Sequence, residues 1–212
     1  LRKHVVYVLD ISGSMSGQKL EQMKDAMFTV LDDMKETDFF NIITFSTEVS
    51  HWNSDEGFIS EVTSVSHPAT EKNKNLAISA VLDLNSGGST NINDALEQAL
   101  NVGQSARIFN DIPKDVQTMI VFLTDGLPNG DTSTIKSNIK ANNTDPEISE
   151  IPIFAIGFGA DADFNFLKEI AAENDGIAKK IYEGSDAALQ LEDFYAQIAS
   201  PLLSNLQLNY VG

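Results

Sequence analysis

The sequence predicts an open α/β fold, a mainly parallel sheet of six strands with helices on both faces. Three observations predict it. Apolar, β-branched runs alternate along the chain with segments whose apolar residues recur at the helical period, the mark of successive β-α-β units. The first run, Val5-Val6-Tyr7-Val8-Leu9, is apolar at every position, as a strand buried on both faces must be. At 212 residues the chain is long enough to close one such domain around a sizeable core.

Each element has its own signal. His4 to Leu9 reads as the first strand. A helix is expected from Gln18 to Met34, because Leu20, Met23, Met27, Val30, Leu31 and Met34 fall on one face. Phe39 to Phe45 is a strand, and Val49 to Trp52 its short hairpin partner. Helices follow at Lys74 to Leu84 and at Asn93 to Gln104, the latter with Asn93 as expected N-cap and Asp94 in the first turn. Val116 to Thr124 is a central strand and Thr134 to Asn142 a helix. Ile151 to Gly157 and Ala178 to Tyr182 are strands; Phe164 to Asn174 and Ala187 to Ala199 are helices. Residues 1–200 form one domain on this reading. After Pro201, Leu206, Leu208 and Tyr210 alternate with polar residues, so 201–212 reads as the start of a following β module. The chain enters a core strand directly after Leu1-Arg2-Lys3 with no signal-peptide pattern, and so reads as a domain excised from a longer protein.

The chemistry gathers where the first strand ends. Asp10-Ile11-Ser12-Gly13-Ser14 sets a carboxylate and two hydroxyls at alternate positions. Open α/β sheets bind ligands at that edge. Oxygen-only donors suit Mg²⁺, Mn²⁺ or Ca²⁺ rather than zinc or copper. Thr90 follows in Gly87-Gly88-Ser89-Thr90-Asn91-Ile92-Asn93-Asp94, and Asp125 in Val121-Phe122-Leu123-Thr124-Asp125-Gly126. Any one of these residues alone is ordinary turn chemistry; together they define a pattern.

D-x-S-x-S with a distant Thr and a distant Asp resembles the metal-ion-dependent adhesion site of von Willebrand factor type A domains, and the resemblance covers nearly the whole chain. The stretches "SGGSTNINDAL" and "FLKEIAAENDGIAKKIY...FYAQIASPLLSNLQLNY" are similar to the inter-alpha-trypsin inhibitor heavy-chain branch, with Ser89 as an inserted residue. The resemblance implies a Rossmann-like fold of the von Willebrand A type and a cation, Mg²⁺ with Mn²⁺ or Ca²⁺ as alternatives. It implies Ser12 and Ser14 as direct ligands, Asp10 and Asp125 often acting through water, and Thr90 as a further donor. One vertex is left for an Asp or Glu carboxylate of a protein partner. Asp10 and Asp125 would neutralise the ion, and removing Asp125 is expected to delete a charge but no core contact. The branch is largely secreted, so an extracellular location is implied. The alternative is a structural module whose metal only pins its loops.

Other chemistries fit less well. Gly157-Phe158-Gly159-Ala160-Asp161-Ala162 matches a dinucleotide fingerprint, but at the fifth strand, with acidic residues where pyrophosphate would approach; a tight βα turn is the simpler reading. A phosphatase of the D-x-D-x-T type lacks its acid/base, since Ser12 stands there. No G-x-x-x-x-G-K-[ST] occurs. A hydrolytic triad has only His4, His51 and His67 to draw on, none placed to face Asp10, and the chain reads as no enzyme. Trp52 reads as core or hairpin packing rather than a binding anchor. Met15-Ser16, Ser89 and Leu127-Pro128-Asn129-Gly130 are expected at the rim of the metal face. The net charge of −17 opposes nucleic acid, anionic lipid and polyanionic glycans, and favours cations. No Cys is present, which excludes disulfides and thiolate sites. No apolar stretch of about 18 residues suggests a membrane span. Asn142-Asn143-Thr144 is a glycosylation sequon, expected in a polar loop.

Overall fold

The computed structural model describes residues 2–61, 65–125, 128–144, 150–159, 162–182 and 186–199. In chain order the elements are β1 (Lys3–Asp10), a 3-10 turn (Gly13–Met15), α1 (Gln18–Asp32), β2 (Phe39–Phe45), β3 (Val49–Asn53), β4 (Gly57–Ile59), β5 (His67–Pro68), α2 (Glu71–Leu82), α3 (Ile92–Ile108), β6 (Gln117–Thr124), α4 (Thr132–Asn143), β7 (Ile153–Phe158), α5 (Phe164–Glu173), β8 (Ala178–Ile181) and α6 (Ala187–Ala199). The sheet runs β4-β3-β2-β1-β6-β7-β8, with β5 also paired to β2. From β2 to β8 the pairings are parallel; β3, β4 and β5 are antiparallel additions.

β1 lies inside the sheet, and its side chains alternate between two cores. Val5, Tyr7 and Leu9 enter one with Met23, Met27 and Leu31 of α1, Val81 of α2, and Leu191 and Phe194 of α6. Val6 and Val8 enter the other with Leu96 and Leu100 of α3, Ile139 of α4 and Leu167 of α5. Each of these five β1 side chains is 0–1% exposed, and each contributes roughly 1.5–3 kcal/mol by burial, an upper bound. Helices therefore cover both faces, as expected.

The structure departs from the sequence reading in instructive ways. The six expected strands are present, but among the described residues the sheet has eight. β4 and β5 are three and two residues long, too short for a period to show. Asn91, not Asn93, caps α3: its side chain accepts from the Asp94 amide at 3.5 Å and donates to Asp94 Oδ2 at 2.7 Å. The helix starts early because Ile92 is wholly buried and belongs to its apolar face. It also runs on to Ile108. The sequon residue Asn142 lies in the last turn of α4 rather than in a loop, and Asn143 is buried, bonding Ile151 and Asn174. Trp52, by contrast, is core as expected, stacked on Phe40 at 5.5 Å and edge-on to His67 at 4.6 Å. Gly157 lies within β7 and has a packing role there: a Cβ would lie 2.9 Å from Leu167 of α5. The rest of the fingerprint, Ala160 and Asp161, and the expected β module at 201–212 lie outside the described residues.

Candidate metal centre

Parallel pairing sets the site. β1 and β6 are in register from Lys3↔Gln117 to Leu9↔Leu123, so Asp10 and Thr124 end their strands at the same level. Asp10 is fully buried. Its Oδ1 accepts from the Ser12 amide at 2.8 Å and its Oδ2 from the Thr124 hydroxyl at 2.5 Å. Burial pushes the Asp10 carboxyl above the usual range; bonds from Ser12 and Thr124 oppose this, and the Asp125 charge adds to it.

The 3-10 turn then carries Ser14 back over the strand end. Ser12 Oγ lies 3.1 Å from Ser14 Oγ, and Ser14 donates to Asp125 Oδ1 at 2.7 Å. Ser12 and Asp125 are buried whereas Ser14 is exposed, so the row of oxygens opens to solvent at Ser14. The fourth side chain is one the sequence reading missed. Lys19, in the first turn of α1, donates from Nζ to Asp125 Oδ2 at 2.6 Å. Both side chains are shielded, 11% and 0% exposed. Thr124 was missed as well, as the partner of Asp10.

Backbone bonds lace the loops together. The Ile11 amide donates to Phe45, Gly87 to Ile11, Gly13 to Gly88, and Asn91 to Ser46, all at 2.8–3.0 Å. Gly88 cannot be replaced without strain: its φ is +82°, and a Cβ would lie 2.7 Å from Thr47 Oγ1. Ser89 is exposed, its amide and hydroxyl both on Thr47 Oγ1 at 3.0 and 3.2 Å. Thr90 is nearly buried in this loop, and its carbonyl accepts from Asn129. Among the described residues its hydroxyl bonds to none of Asp10, Ser12, Ser14 or Asp125. The structure thus joins Ser12, Ser14 and Asp125 side chain to side chain, ties Asp10 to them through Ser12, and sets Thr90 in the neighbouring loop.

Among the described residues, no three His, Cys, Asp or Glu side chains cluster as a metal-binding group. The donor set at the sheet edge is instead two carboxylates and hydroxyls, which fits a hard cation that keeps several waters. The histidines take no part. His4 opens β1 at the far end of the sheet, bonded to Asn41 and Thr118; His51 bonds Gln98; His67 packs on Trp52. Of the expected rim, Ser16, Ser89 and Asn129 are exposed. Met15 is not rim: it is 0% exposed, because the 3-10 turn directs its apolar side chain into the core beside α1. Leu127 lies outside the described residues.

This fold and this arrangement place the chain in a family. The model of the von Willebrand factor type A domain matches residues 4–197, and the chain belongs to that family. Within it, the chain is similar to the inter-alpha-trypsin inhibitor heavy chains: 39% identical to heavy chain H3 of Bos taurus over 208 residues and 39% identical to heavy chain H4 of Homo sapiens over 209. Those matches cover 98% of this chain but only 22% and 21% of the longer relatives. The fold is shared with a von Willebrand factor type A structure from Catenulispora acidiphila (TM-score 0.74, 21% identity, 92% of this chain and 42% of that one). It is also shared with proximal thread matrix protein 1 of the mussel byssus, solved with a zinc-occupied MIDAS motif (TM-score 0.62, 19% identity, 93% and 46%).

Proposed function

We propose that this domain binds a protein partner through a divalent cation, Mg²⁺ with Mn²⁺ or Ca²⁺ as alternatives, held by Asp10, Ser12, Ser14, Thr90 and Asp125. The observation that carries the reading is the row Ser12–Ser14–Asp125, closed on the protein side and open to solvent at Ser14. When bound, the cation supplies an electrophilic vertex for an Asp or Glu carboxylate of the partner. The chain's own residues do the rest. Asp10 and Asp125 attract the ion, Ser12 and Ser14 offer neutral oxygens, and the exposed Ser16 and Ser89 border the contact surface. Membership of a family of binding domains supports a reading of binding rather than catalysis. The likeness to heavy chains supports a secreted, heavy-chain-like parent protein. Among the described residues no helix is long and apolar enough to cross a membrane.

The second reading, a cation that only pins the loops, has less support. The loops are already pinned by the Ile11, Gly13, Gly87 and Gly88 backbone bonds. The discriminating experiment is a thermal melt with chelator, Mg²⁺, Mn²⁺, Ca²⁺ or Zn²⁺, followed by capture of extracellular-fluid proteins with and without chelator; zinc is included because the mussel protein holds it in its MIDAS motif. At about 100 times the dissociation constant a cation adds about 2.7 kcal/mol, which for a domain of this size is a rise of roughly 5–10 °C. Asp10→Ala abolishes the rise, and the surface variant Ser14→Ala reduces it. Melts unchanged in every ion refute the cation site, and partners retained in chelator refute the metal-bridged contact.

A further inference from the structure

Lys19 is the charge that no feature of the motif explains. It sits in the first turn of α1, where the helix dipole disfavours a cation. Its side chain is 11% exposed, where burial also disfavours one. Two costs at one position need a compensating partner, and the structure supplies Asp125 at 2.6 Å.

The pair divides the carboxylate. Asp125 Oδ2 faces the ammonium of Lys19 while Oδ1 faces the Ser14 hydroxyl at the open end of the site. Counted over these three side chains, Asp10 and Asp125 give two negative charges and Lys19 one positive. Lys19 therefore offsets part of the neutralisation that the two carboxylates would give a doubly charged ion. We infer that Lys19 is a specificity-determining residue of the site: it weakens the hold on the cation and leaves the loaded site positive, so that an incoming carboxylate is attracted in spite of a domain charge of −17. The inference rests on the cation site proposed above.

The test separates the two. Free Mn²⁺ is counted by electron paramagnetic resonance during titration of wild type, Lys19→Gln, Lys19→Met and Lys19→Arg. Gln keeps a donor toward Asp125 but no charge, and serves if the Met variant does not fold. The neutral variants should bind Mn²⁺ at least about tenfold tighter, and Lys19→Arg within about threefold of wild type. Acetate is the carboxylate probe. Relaxation of its methyl protons by bound Mn²⁺ should require at least about threefold more acetate in Lys19→Gln than in wild type. Wild type that takes up Mn²⁺ while both neutral variants bind it equally or more weakly overturns the role of Lys19 and leaves the cation site standing. Unchanged acetate affinity overturns the half concerning the partner. No Mn²⁺ uptake by any of the four proteins overturns the cation site itself, and this inference with it.

Discussion

The two ends of β1 bury polar groups in opposite ways. At the N-terminal end, His4 is 0% exposed and neutral. Its Nε2 meets Asn41 Oδ1 at 2.8 Å and its Nδ1 meets Thr118 Oγ1 at 3.3 Å. Asn41 in turn donates to the Val65 carbonyl, and Arg107 donates to Thr118. With Arg107 on the threonine oxygen, the network assigns the ring proton to Nε2. Burial drives the His4 pKa down to about 4; the Asn41 bond opposes this, and the Arg107 charge adds to it. At the C-terminal end the buried groups are a carboxylate, Asp10, and an ion pair, Asp125 with Lys19, and the row of oxygens ends on an exposed hydroxyl. The first end is a closed neutral network that specifies packing. The second keeps charge under cover and one side open, an arrangement that stability alone does not favour, because a well-packed apolar pair often replaces a buried ion pair without loss.

The comparison can be broken most forcefully at Asp125. The sequence alone implied that Asp125→Ala removes no core contact; the structure shows that it breaks a shielded ion pair with Lys19. The expected loss is about 3 kcal/mol in metal-free urea unfolding, and the double variant Asp125→Ala/Lys19→Met recovers most of it. A single variant as stable as wild type would mean that Lys19 swings to solvent and the pair is not a structural clasp.

At the other end, His4→Ala leaves Asn41 and Thr118 short of a partner and opens a cavity. A loss of roughly 2–3 kcal/mol is expected, with cation affinity unchanged. A change in Mn²⁺ affinity in this variant would show that the two ends are coupled.

Protonation sharpens the same contrast. An unfolded imidazole takes a proton near pH 6.5, folded His4 only near 4. Between those values the unfolded state holds more protons, so the His4 contribution is complete above about pH 6.5 and is lost as pH falls toward 4. His51 and His67, lowered by their own burial, act in the same direction. Asp10, raised by burial, acts oppositely, its carboxyl gaining stability as it protonates. The histidine effect is isolated as the difference between wild type and His4→Gln: wild type should lose about 2 kcal/mol more from pH 6.5 to 4. Parallel pH profiles for the two proteins would place His4 in a wetter site than the structure shows.

The smallest effect is expected at the rim. Ser89→Ala removes one exposed hydroxyl bond to Thr47 and keeps the amide bond to the same oxygen, so it should cost no more than about 0.5 kcal/mol and leave the Mn²⁺ affinity of the domain intact. A large loss of affinity would show that Ser89, and not the Gly13–Gly88 contact, aims Thr90.

What the sequence by itself determined is the order of layers and the chemistry of one sheet edge. Val5 to Leu9 can be buried only on both faces, and the helical period of Leu20 to Met34 can be buried only against such a sheet. D-x-S-x-S at a strand end, with Thr90 and Asp125 far along the chain, marked the edge because strands that pair in parallel bring their C-terminal ends together. Tertiary structure alone decided which of those residues touch. It tied Thr124 to Asp10 through the β1–β6 register, turned Met15 inward, moved the α3 cap to Asn91, and set Lys19 on Asp125 across 106 residues of chain. The reason is physical. Period and propensity act over a few residues, and fix which faces are apolar. A hydrogen bond or an ion pair depends on where two distant backbones come to rest, to within a few tenths of an ångström, and only the packed core sets that.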